Sequence, residues 1–197
     1  FGNEQNDTLN GGDGDDTLDG GSENDKLFGG NGLDTLTGGT QDDFLSGGAD
    51  NDTLDGGSGK DQLNGDTGDD VLTGGTENDV LRGGNGDDTL DGGADKDSLF
   101  GGAGADTVDG GTGADVIFGN DGNDVLTGGA DVAADTIAGG NGNDTINGGD
   151  GGDTLSGDAD NDLIFGEGDD DVLRGGFGND VLTGGAGNDT MFGGAGS

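Results

Sequence analysis

One apolar residue recurs every nine positions along almost the whole chain, with polar residues around it. It is Leu9, Leu18 and Leu27 in the first units, and it remains aliphatic or Met throughout, as at Val108 and Met191. Glycine pairs return with the same period, and they disfavour a helix because each glycine in a helix costs about 1 kcal/mol. The pattern x-Leu-x instead predicts a very short strand, with the leucine pointing inward and its two neighbours outward.

Each repeat can be written as nine positions, with glycine first, aspartate sixth and the apolar residue eighth. The spacing is regular except between Asp124 and Asp135, where two residues are inserted in the unit 128–138. About 21 units fill residues 2–192, which predicts one repeat array over residues 1–197. Because the sequence starts and stops within a repeat, we expect it to be a fragment of a longer protein.

The segment GGxGxD before each apolar position predicts a turn, because glycine tolerates the positive φ that tight turns require. If each turn reverses the chain, two units form one coil of about 18 residues. Stacked coils would give an all-β fold, a parallel β-roll (a β-helix solenoid) of about ten coils. Its two facing sheets of very short strands would enclose a thin row of leucine.

The composition is that of a polyanion with little material for a core. Glycine accounts for 54 of 197 residues, acidic residues outnumber basic ones 44 to 5, and the net charge is −39. Such a chain alone is expected to be disordered. The absence of His and Cys excludes disulfides, imidazole or thiolate metal sites and the commonest general base. The charge excludes nucleic acid as a partner, and the lack of any long apolar run predicts no direct membrane insertion.

The sixth-position aspartates predict a cation site in every turn. Aspartates of alternate units, such as Asp16 and Asp34, would stack about 4.8 Å apart and repel each other unless a cation lay between them. Carboxylates and turn carbonyls offer only oxygen ligands, which favour Ca²⁺ over Mg²⁺ or Zn²⁺. One ion between each unit and the next but one gives up to about 19 calcium ions.

The predicted ligands are the regular sixth-position aspartates and nearby backbone carbonyls. The carboxylates belong to Asp7, Asp16, Asp25, Asp34, Asp43, Asp52, Asp61, Asp70, Asp79, Asp88, Asp97, Asp106, Asp115, Asp124, Asp144, Asp153, Asp162, Asp171, Asp180 and Asp189. The carbonyls are those of turn glycines such as Gly12, Gly14, Gly30, Gly32, Gly84, Gly86, Gly140 and Gly142. Adjacent acids such as Asp69 and Asp70 could suggest a catalytic pair, but their recurrence with the repeat favours ligands, and we predict no enzyme.

These units resemble the GGxGxDxUx nonapeptide of the repeats-in-toxin (RTX) family, and the resemblance covers residues 2–192. It implies a right-handed parallel β-roll with calcium held between the turn of one unit and the turn two units later. It also implies a secreted bacterial protein, extracellular or at the cell surface, exported by type I secretion and folded only where calcium is abundant.

Two functions follow from this resemblance. The first is a calcium-binding structural β-roll that serves as spacer or scaffold in a surface-layer, adhesin or toxin-like protein. The alternative is an accessory or secretion module of a secreted enzyme of the protease, lipase or alginate epimerase type. Ice binding by an outward threonine row is disfavoured because Val71 and Val125 interrupt the row, and the irregular outward residues argue against a designed array.

Alternate units differ in their outward residues. The set that starts at Gly2 and Gly20 carries all the basic residues, Lys26, Lys60, Arg82, Lys96 and Arg174. It also carries outward phenylalanines at Phe28, Phe44, Phe100, Phe118 and Phe192. We interpret this set as the side that meets other molecules, with drift on a solvated surface as the alternative. Phe100 and Phe118 are expected to form an exposed aromatic pair.

Two irregular places have their own expectations. The unit 128–138 is predicted to form a bulged loop with a missing or altered calcium, while Thr136–Ala138 stay in register. The terminal coils have no polar cap, which predicts pairing with neighbouring domains of the same chain or end-to-end self-association.

Overall fold

The chain forms an all-β parallel solenoid. The computed structural model describes residues 1–196, in which the strands alternate between two parallel sheets of 11 strands each. No helix occurs among these residues, and therefore none that is long and apolar enough to cross a membrane. The predicted fold class is confirmed.

We call the two sheets the odd sheet and the even sheet after the numbers of their strands. The odd sheet contains β1 (Asn3–Glu4), β3 (Thr17–Ser22), β5 (Thr35–Thr40), β7 (Thr53–Ser58), β9 (Val71–Thr76), β11 (Thr89–Ala94), β13 (Thr107–Thr112), β15 (Val125–Gly129), β17 (Thr145–Gly149), β19 (Leu163–Gly168) and β21 (Val181–Ala186). The even sheet contains β2 (Thr8–Asp13), β4 (Lys26–Asn31), β6 (Phe44–Ala49), β8 (Gln62–Thr67), β10 (Val80–Asn85), β12 (Ser98–Ala103), β14 (Val116–Asp121), β16 (Thr136–Asn141), β18 (Thr154–Ala159), β20 (Val172–Phe177) and β22 (Thr190–Phe192).

The core is a single layer of eighth-position side chains between the sheets. Residues from Leu18 to Leu173 at this position are at most 5% exposed, and Leu9 and Leu182 pack against them while partly buried. Equivalent residues of successive coils lie side by side, as Leu36 does with Leu54. The core is therefore one aliphatic residue per strand, which is little for a chain of this length.

The strands are longer than predicted. Most span six residues, as in Thr53–Ser58, and continue through the first three positions of the next unit. The glycine pair therefore belongs to the strand, and the turn is confined to positions four to six. The pair bends the strand without ending the ladder, because the second glycine, such as Gly57 with φ 99°, still pairs with Gly39 of the neighbouring coil.

Positions two and four of the repeat have a left-handed backbone. Within residues 1–196, every residue other than glycine with positive φ occupies one of these two positions, such as Asp50 (75°), Asp66 (77°) and Glu77 (74°). A side chain in this region costs roughly 1–2 kcal/mol. The turn glycines were expected because tight turns require positive φ, and this reason is confirmed. The fold imposes positive φ at these positions even on residues that disfavour it.

The insertion forms a bulge before Asp135. In regular coils the fourth-position N–H donates to the third-position carbonyl of the next coil, as Gly86 does to Ala103 (2.8 Å). Gly113 instead donates to the Asp131 carboxylate (2.9 Å). Beyond the bulge Thr136 pairs with Val116, so the predicted loop and the preserved strand register are both confirmed.

Candidate metal centre

The sixth-position aspartates form two rows, one along each edge where the chain passes between the sheets. The row preceding the even strands, called the even-edge row, contains Asp7, Asp25, Asp43, Asp61, Asp79, Asp97, Asp115, Asp135, Asp153, Asp171 and Asp189. The odd-edge row contains Asp16, Asp34, Asp52, Asp70, Asp88, Asp106, Asp124, Asp144, Asp162 and Asp180. All predicted carboxylate ligands therefore lie in one of two continuous rows.

One oxygen of each carboxylate belongs to a hydrogen-bond ladder. The backbone N–H of each aspartate from Asp7 to Asp171 donates to Oδ1 of the aspartate one coil further on, as Asp52 does to Asp70 (2.7 Å) and Asp70 to Asp88 (2.8 Å). Its backbone carbonyl accepts the N–H that follows the next aspartate, as Asp70 accepts from Thr89 (2.8 Å). These contacts fix the side-chain direction throughout both rows.

The other oxygen, Oδ2, is buried without a hydrogen-bond partner. This holds for Asp7, Asp16, Asp25, Asp34, Asp43, Asp52, Asp61, Asp70, Asp79, Asp88, Asp97, Asp106, Asp115, Asp124, Asp144, Asp153, Asp162, Asp171 and Asp180. Most of these residues are nearly inaccessible, Asp70 being 1% exposed. An ionised carboxylate buried in this way costs several kcal/mol unless a cation or a proton neutralises it.

The first glycine of each unit leaves room for this oxygen. A Cβ at Gly56 would lie 2.5 Å from Asp61 Oδ2 and 2.7 Å from the carbonyl oxygen of Gly74. Any side chain there would fill the space at which a carboxylate oxygen and a carbonyl oxygen converge. This close approach explains why the first position is always glycine although its φ is not positive.

The predicted carbonyl ligands fall into two groups. The fourth-position glycines Gly14, Gly32, Gly86 and Gly142 lie outside the strands, and none of their carbonyls accepts a backbone hydrogen bond within residues 1–196. The second-position glycines Gly12, Gly30, Gly84 and Gly140 lie within strands, where the equivalent carbonyl of Gly176 accepts the Ala195 N–H (2.7 Å). The fourth-position carbonyls are therefore the freer oxygen donors.

The donor set fits calcium. Across residues 1–196 no group of three or more acidic, His or Cys side chains is arranged to hold a metal ion, so side chains alone do not complete a metal site. Calcium takes six to eight oxygens, including backbone carbonyls, in flexible geometry. One or two carboxylates with several carbonyls from adjacent turns meet this requirement, whereas zinc would need ligands that the chain lacks.

Burial raises the pKa of the sixth-position carboxyls from Asp43 to Asp171 above the ordinary value of 3.8. The backbone N–H bond partly opposes this effect, and neighbouring carboxylates in most cases add to it. The pKa reaches about 7 at Asp43, Asp79, Asp97 and Asp106. It reaches about 6 at Asp52, Asp61, Asp70, Asp88, Asp115, Asp135, Asp144, Asp153 and Asp162. A divalent ion at these oxygens would reverse this effect.

A second ladder, at the fifth position, was not predicted from the sequence. Asn143 donates its N–H to Asn123 Oδ1 (2.7 Å), and Asn161 donates to Asn143 Oδ1 (3.2 Å). This ladder runs opposite to the sixth-position ladder and lies on the exposed side of the turn. The two ladders place adjacent acids in different environments. Asp69 is exposed and accepts the N–H of Asp87 (2.9 Å), whereas Asp70 is buried. The recurrence of Asn or Asp at position five was the available signal.

Asp135, which was left out of the predicted ligands, keeps its place in the even-edge row. Its Oδ1 accepts from Asp115 (2.8 Å), and its N–H donates to Asp153 (2.8 Å). Within residues 1–196 it does not belong to the group whose Oδ2 is buried and unpartnered. Asp131, which was not predicted either, places an additional carboxylate beside it in the bulge. An altered calcium site at the insertion stays a prediction.

A parallel solenoid with two rows of buried, oxygen-rich turns defines a calcium-binding β-roll. The sequence model of the RTX calcium-binding nonapeptide repeat matches residues 1–36, 28–63, 64–99, 100–132, 130–164 and 165–197. The chain belongs to this family, and the resemblance seen in the sequence is confirmed. RTX repeats bind Ca²⁺ in general and form a structural roll rather than a catalytic fold. No curated protein sequence matches the chain.

Proposed function

We propose that this chain is a calcium-folded scaffold or spacer of a secreted protein, extracellular or at the cell surface, of the surface-layer, adhesin or toxin-like kind. The observation that carries the proposal is the pair of rows in which almost every coil buries an unpartnered carboxylate oxygen. An enzyme would concentrate unusual groups at one place. Here the same unsatisfied group recurs along the whole solenoid, which suits a repetitive structural element and no catalytic role.

Bound calcium would supply the folding stability that the small apolar core does not provide. About 19 divalent ions would carry roughly 38 positive charges (19 × 2), close to the chain's net charge of −39. Each ion bound only by the folded state adds stability by mass action, and ten times its dissociation constant gives about 1.4 kcal/mol. Many weak sites in the millimolar range typical of extracellular modules would therefore couple folding to export.

The terminal coils support a further part of this proposal, contact with neighbouring domains or end-to-end self-association. Met191 is 51% exposed, although the same position is buried in the interior coils. Phe192, the next residue in the chain, is 53% exposed, and Val181 in the last strand of the odd sheet is 56% exposed. An apolar, open coil end is a surface on which another coil could continue the two sheets.

A calcium titration tests the proposal. The calcium-depleted chain should be expanded and coil-like at neutral pH, and millimolar calcium should convert it cooperatively to a compact β structure. Circular dichroism and small-angle scattering report the change, and calorimetry counts the ions. Equal magnesium should not substitute. A β-rich, compact chain in excess chelator at pH 7.5 would overturn the proposal, as would binding of only one or two ions.

A further inference from the structure

The outer face of the even sheet carries a shallow pocket of about 580 Å³ near the first coils. Two parallel rows of side chains form it. The fifth-position row contributes Asn6, Asn24, Asp42 and Lys60 from four successive turns, and the seventh-position row contributes Lys26, Phe44 and Gln62 from three adjacent strands. Phe28 completes the lining together with Asp25 and Asp43 of the even-edge row.

The apolar part of this pocket is a pair of phenylalanines. The rings of Phe28 and Phe44 are half-buried, with centroids 5.7 Å apart and planes inclined by 48°. The predicted pair Phe100–Phe118 is confirmed as a stack at 5.4 Å but is also half-buried, and the Arg82 guanidinium lies 5.2 Å from the centre of the Phe100 ring. The first pair has no such cation over it and offers its ring surface to a ligand.

The polar part of the pocket is cationic and amide-rich. Lys26 and Lys60 are exposed, and they are two of only 5 basic residues in a chain with 44 acidic ones. The Lys60 backbone N–H donates to Asp42 Oδ1 (2.9 Å), which orders the turn that carries it. The side chains of Asn6, Asn24 and Gln62 add hydrogen-bond donors and acceptors around the rings.

We propose that this pocket binds an acidic sugar unit, a pyranose carrying a carboxylate or a sulfate, within a polysaccharide. The flat C–H face of the sugar would pack on Phe28 and Phe44, its hydroxyls would meet the amides, and its anionic group would lie between Lys26 and Lys60. An aromatic surface with a few convergent polar groups is the usual composition of a small-molecule site. Two lysines in an otherwise acidic surface select the anionic member of this class.

Binding should require calcium, and in this respect the inference rests on the proposed function. Asp25, Asp42 and Asp43 bring three carboxyls to the pocket against two lysines. Asp25 and Asp43 each have an unpartnered Oδ2 in the even-edge row. Calcium held there would cancel this opposing charge, so that the two lysines dominate the field that a ligand meets.

The test is calorimetry with short oligosaccharides at a matched calcium concentration. Tri-galacturonate, whose anionic groups are all carboxylates, and a κ-carrageenan tetrasaccharide, whose anionic groups are all sulfates, are the two anionic probes, and an uncharged tri-galactose is the reference. At least one anionic probe should bind, and the probe that binds identifies the carboxylate or the sulfate as the recognised group. Phe44→Ser and Lys26→Ser should each weaken binding about tenfold, the loss of roughly 1.4 kcal/mol of contact.

Matched controls lie in β12 of the same sheet and in the turn that precedes it. Phe100→Ser and Lys96→Ser remove the same residue types outside the pocket and should change the affinity by less than about twofold. All four variants should keep the calcium-induced circular dichroism change, because none removes a core leucine. Calcium-dependent folding without binding of either anionic probe would overturn this inference and leave the proposed function standing. Equal binding of the uncharged sugar, or no effect of the pocket variants, would also overturn it.

Discussion

At the sixth position of each unit, the two oxygens of one carboxylate have different tasks. Oδ1 of Asp70 accepts the N–H of Asp52 and holds two coils together, whereas its Oδ2 is buried without a partner. The first contact stabilises the roll at any calcium concentration. The second oxygen destabilises the calcium-free roll when it is ionised and supplies a ligand when calcium is present. Through Oδ2, the same aspartate therefore destabilises the calcium-free roll and stabilises the calcium-bound roll.

Replacing one of these aspartates should change the stability of the roll in opposite directions with and without calcium. In Asp70→Asn the amide oxygen still accepts the Asp52 N–H, but the buried charge is lost. With millimolar calcium we expect the loss of one or two ions and about 1.4 kcal/mol of stability per lost ion. In calcium-depleted buffer the same variant should be more β-structured than the parent chain, because a buried charge has been removed. Thermal melts and ion counting measure both effects.

The neighbouring aspartate provides the control. Asp69 is exposed, and its Oδ1 accepts the Asp87 N–H at 2.9 Å, a contact that an asparagine oxygen makes between Asn143 and Asn123. Asp69→Asn should therefore change stability by less than about 0.5 kcal/mol with or without calcium. A similar calcium loss in both variants would show that the buried position has no special role in binding.

The sequence predicted the aspartates and the reason for most glycines, because both follow from local chemistry. Positive φ explains positions two and four, and the structure adds that even Glu77 adopts it there. The invariant first glycine required the structure, since its cause is the approach of an aspartate oxygen and a carbonyl from two different places in the chain. In the sequence, such a contact is visible only as a position at which every unit has glycine.

At the scale of the element, the strands were underestimated for a physical reason. A glycine pair in a short polar segment indicates a turn, and the sequence alone does not show that each pair is held by an identical pair in the next coil. Gly39 and Gly57 pair in this way, so the ladder continues where local propensity predicts a break. The fifth-position ladder was missed for the same reason, because its hydrogen bonds join residues 18 or 20 apart.

The bulge before Asp135 should be removable at a gain in stability. Deleting Asp131 and Val132 and adding Ala133→Gly turns the unit into GGAGADTIA, a regular repeat. The Gly113 N–H could then donate to the Ala130 carbonyl, as Gly86 does to Ala103 in regular coils. With calcium we expect a gain of about 1–2 kcal/mol and at least as many bound ions, measured by thermal melts and calorimetry.

The same deletion without Ala133→Gly is the matched variant. It leaves alanine at the fourth position, where the regular coil imposes positive φ, at a cost of roughly 1–2 kcal/mol. Its gain should therefore be smaller than that of the full repair or absent. A fully repaired chain that binds fewer ions and melts lower than the parent would show that the bulge itself supports the roll.

For the whole molecule, the raised pKa values set an unusual dependence of stability on pH. Buried aspartates of the central coils have an ordinary pKa of 3.8 when unfolded, and in the folded, calcium-free roll the pKa rises to about 6 at Asp70 and to about 7 at Asp79. Between pH 4 and pH 7 the folded state therefore binds more protons than the unfolded state. Stability consequently falls as pH rises through this window, which is the reverse of the usual behaviour of carboxylates that are ion-paired in the folded state.

We therefore expect acid to replace calcium in part. In calcium-depleted buffer, lowering the pH from 7.5 to about 5 should increase β structure, because protons neutralise the buried carboxyls that otherwise oppose folding. In calcium the direction reverses, since protons compete for the same oxygens and each ion should bind more weakly at pH 5. Circular dichroism along both pH series measures these opposite trends in β structure. Sedimentation monitors association near the sequence pI of about 4.1. Gain of β structure with rising pH in the calcium-depleted series would contradict the expectation and the burial of the two aspartate rows on which it depends.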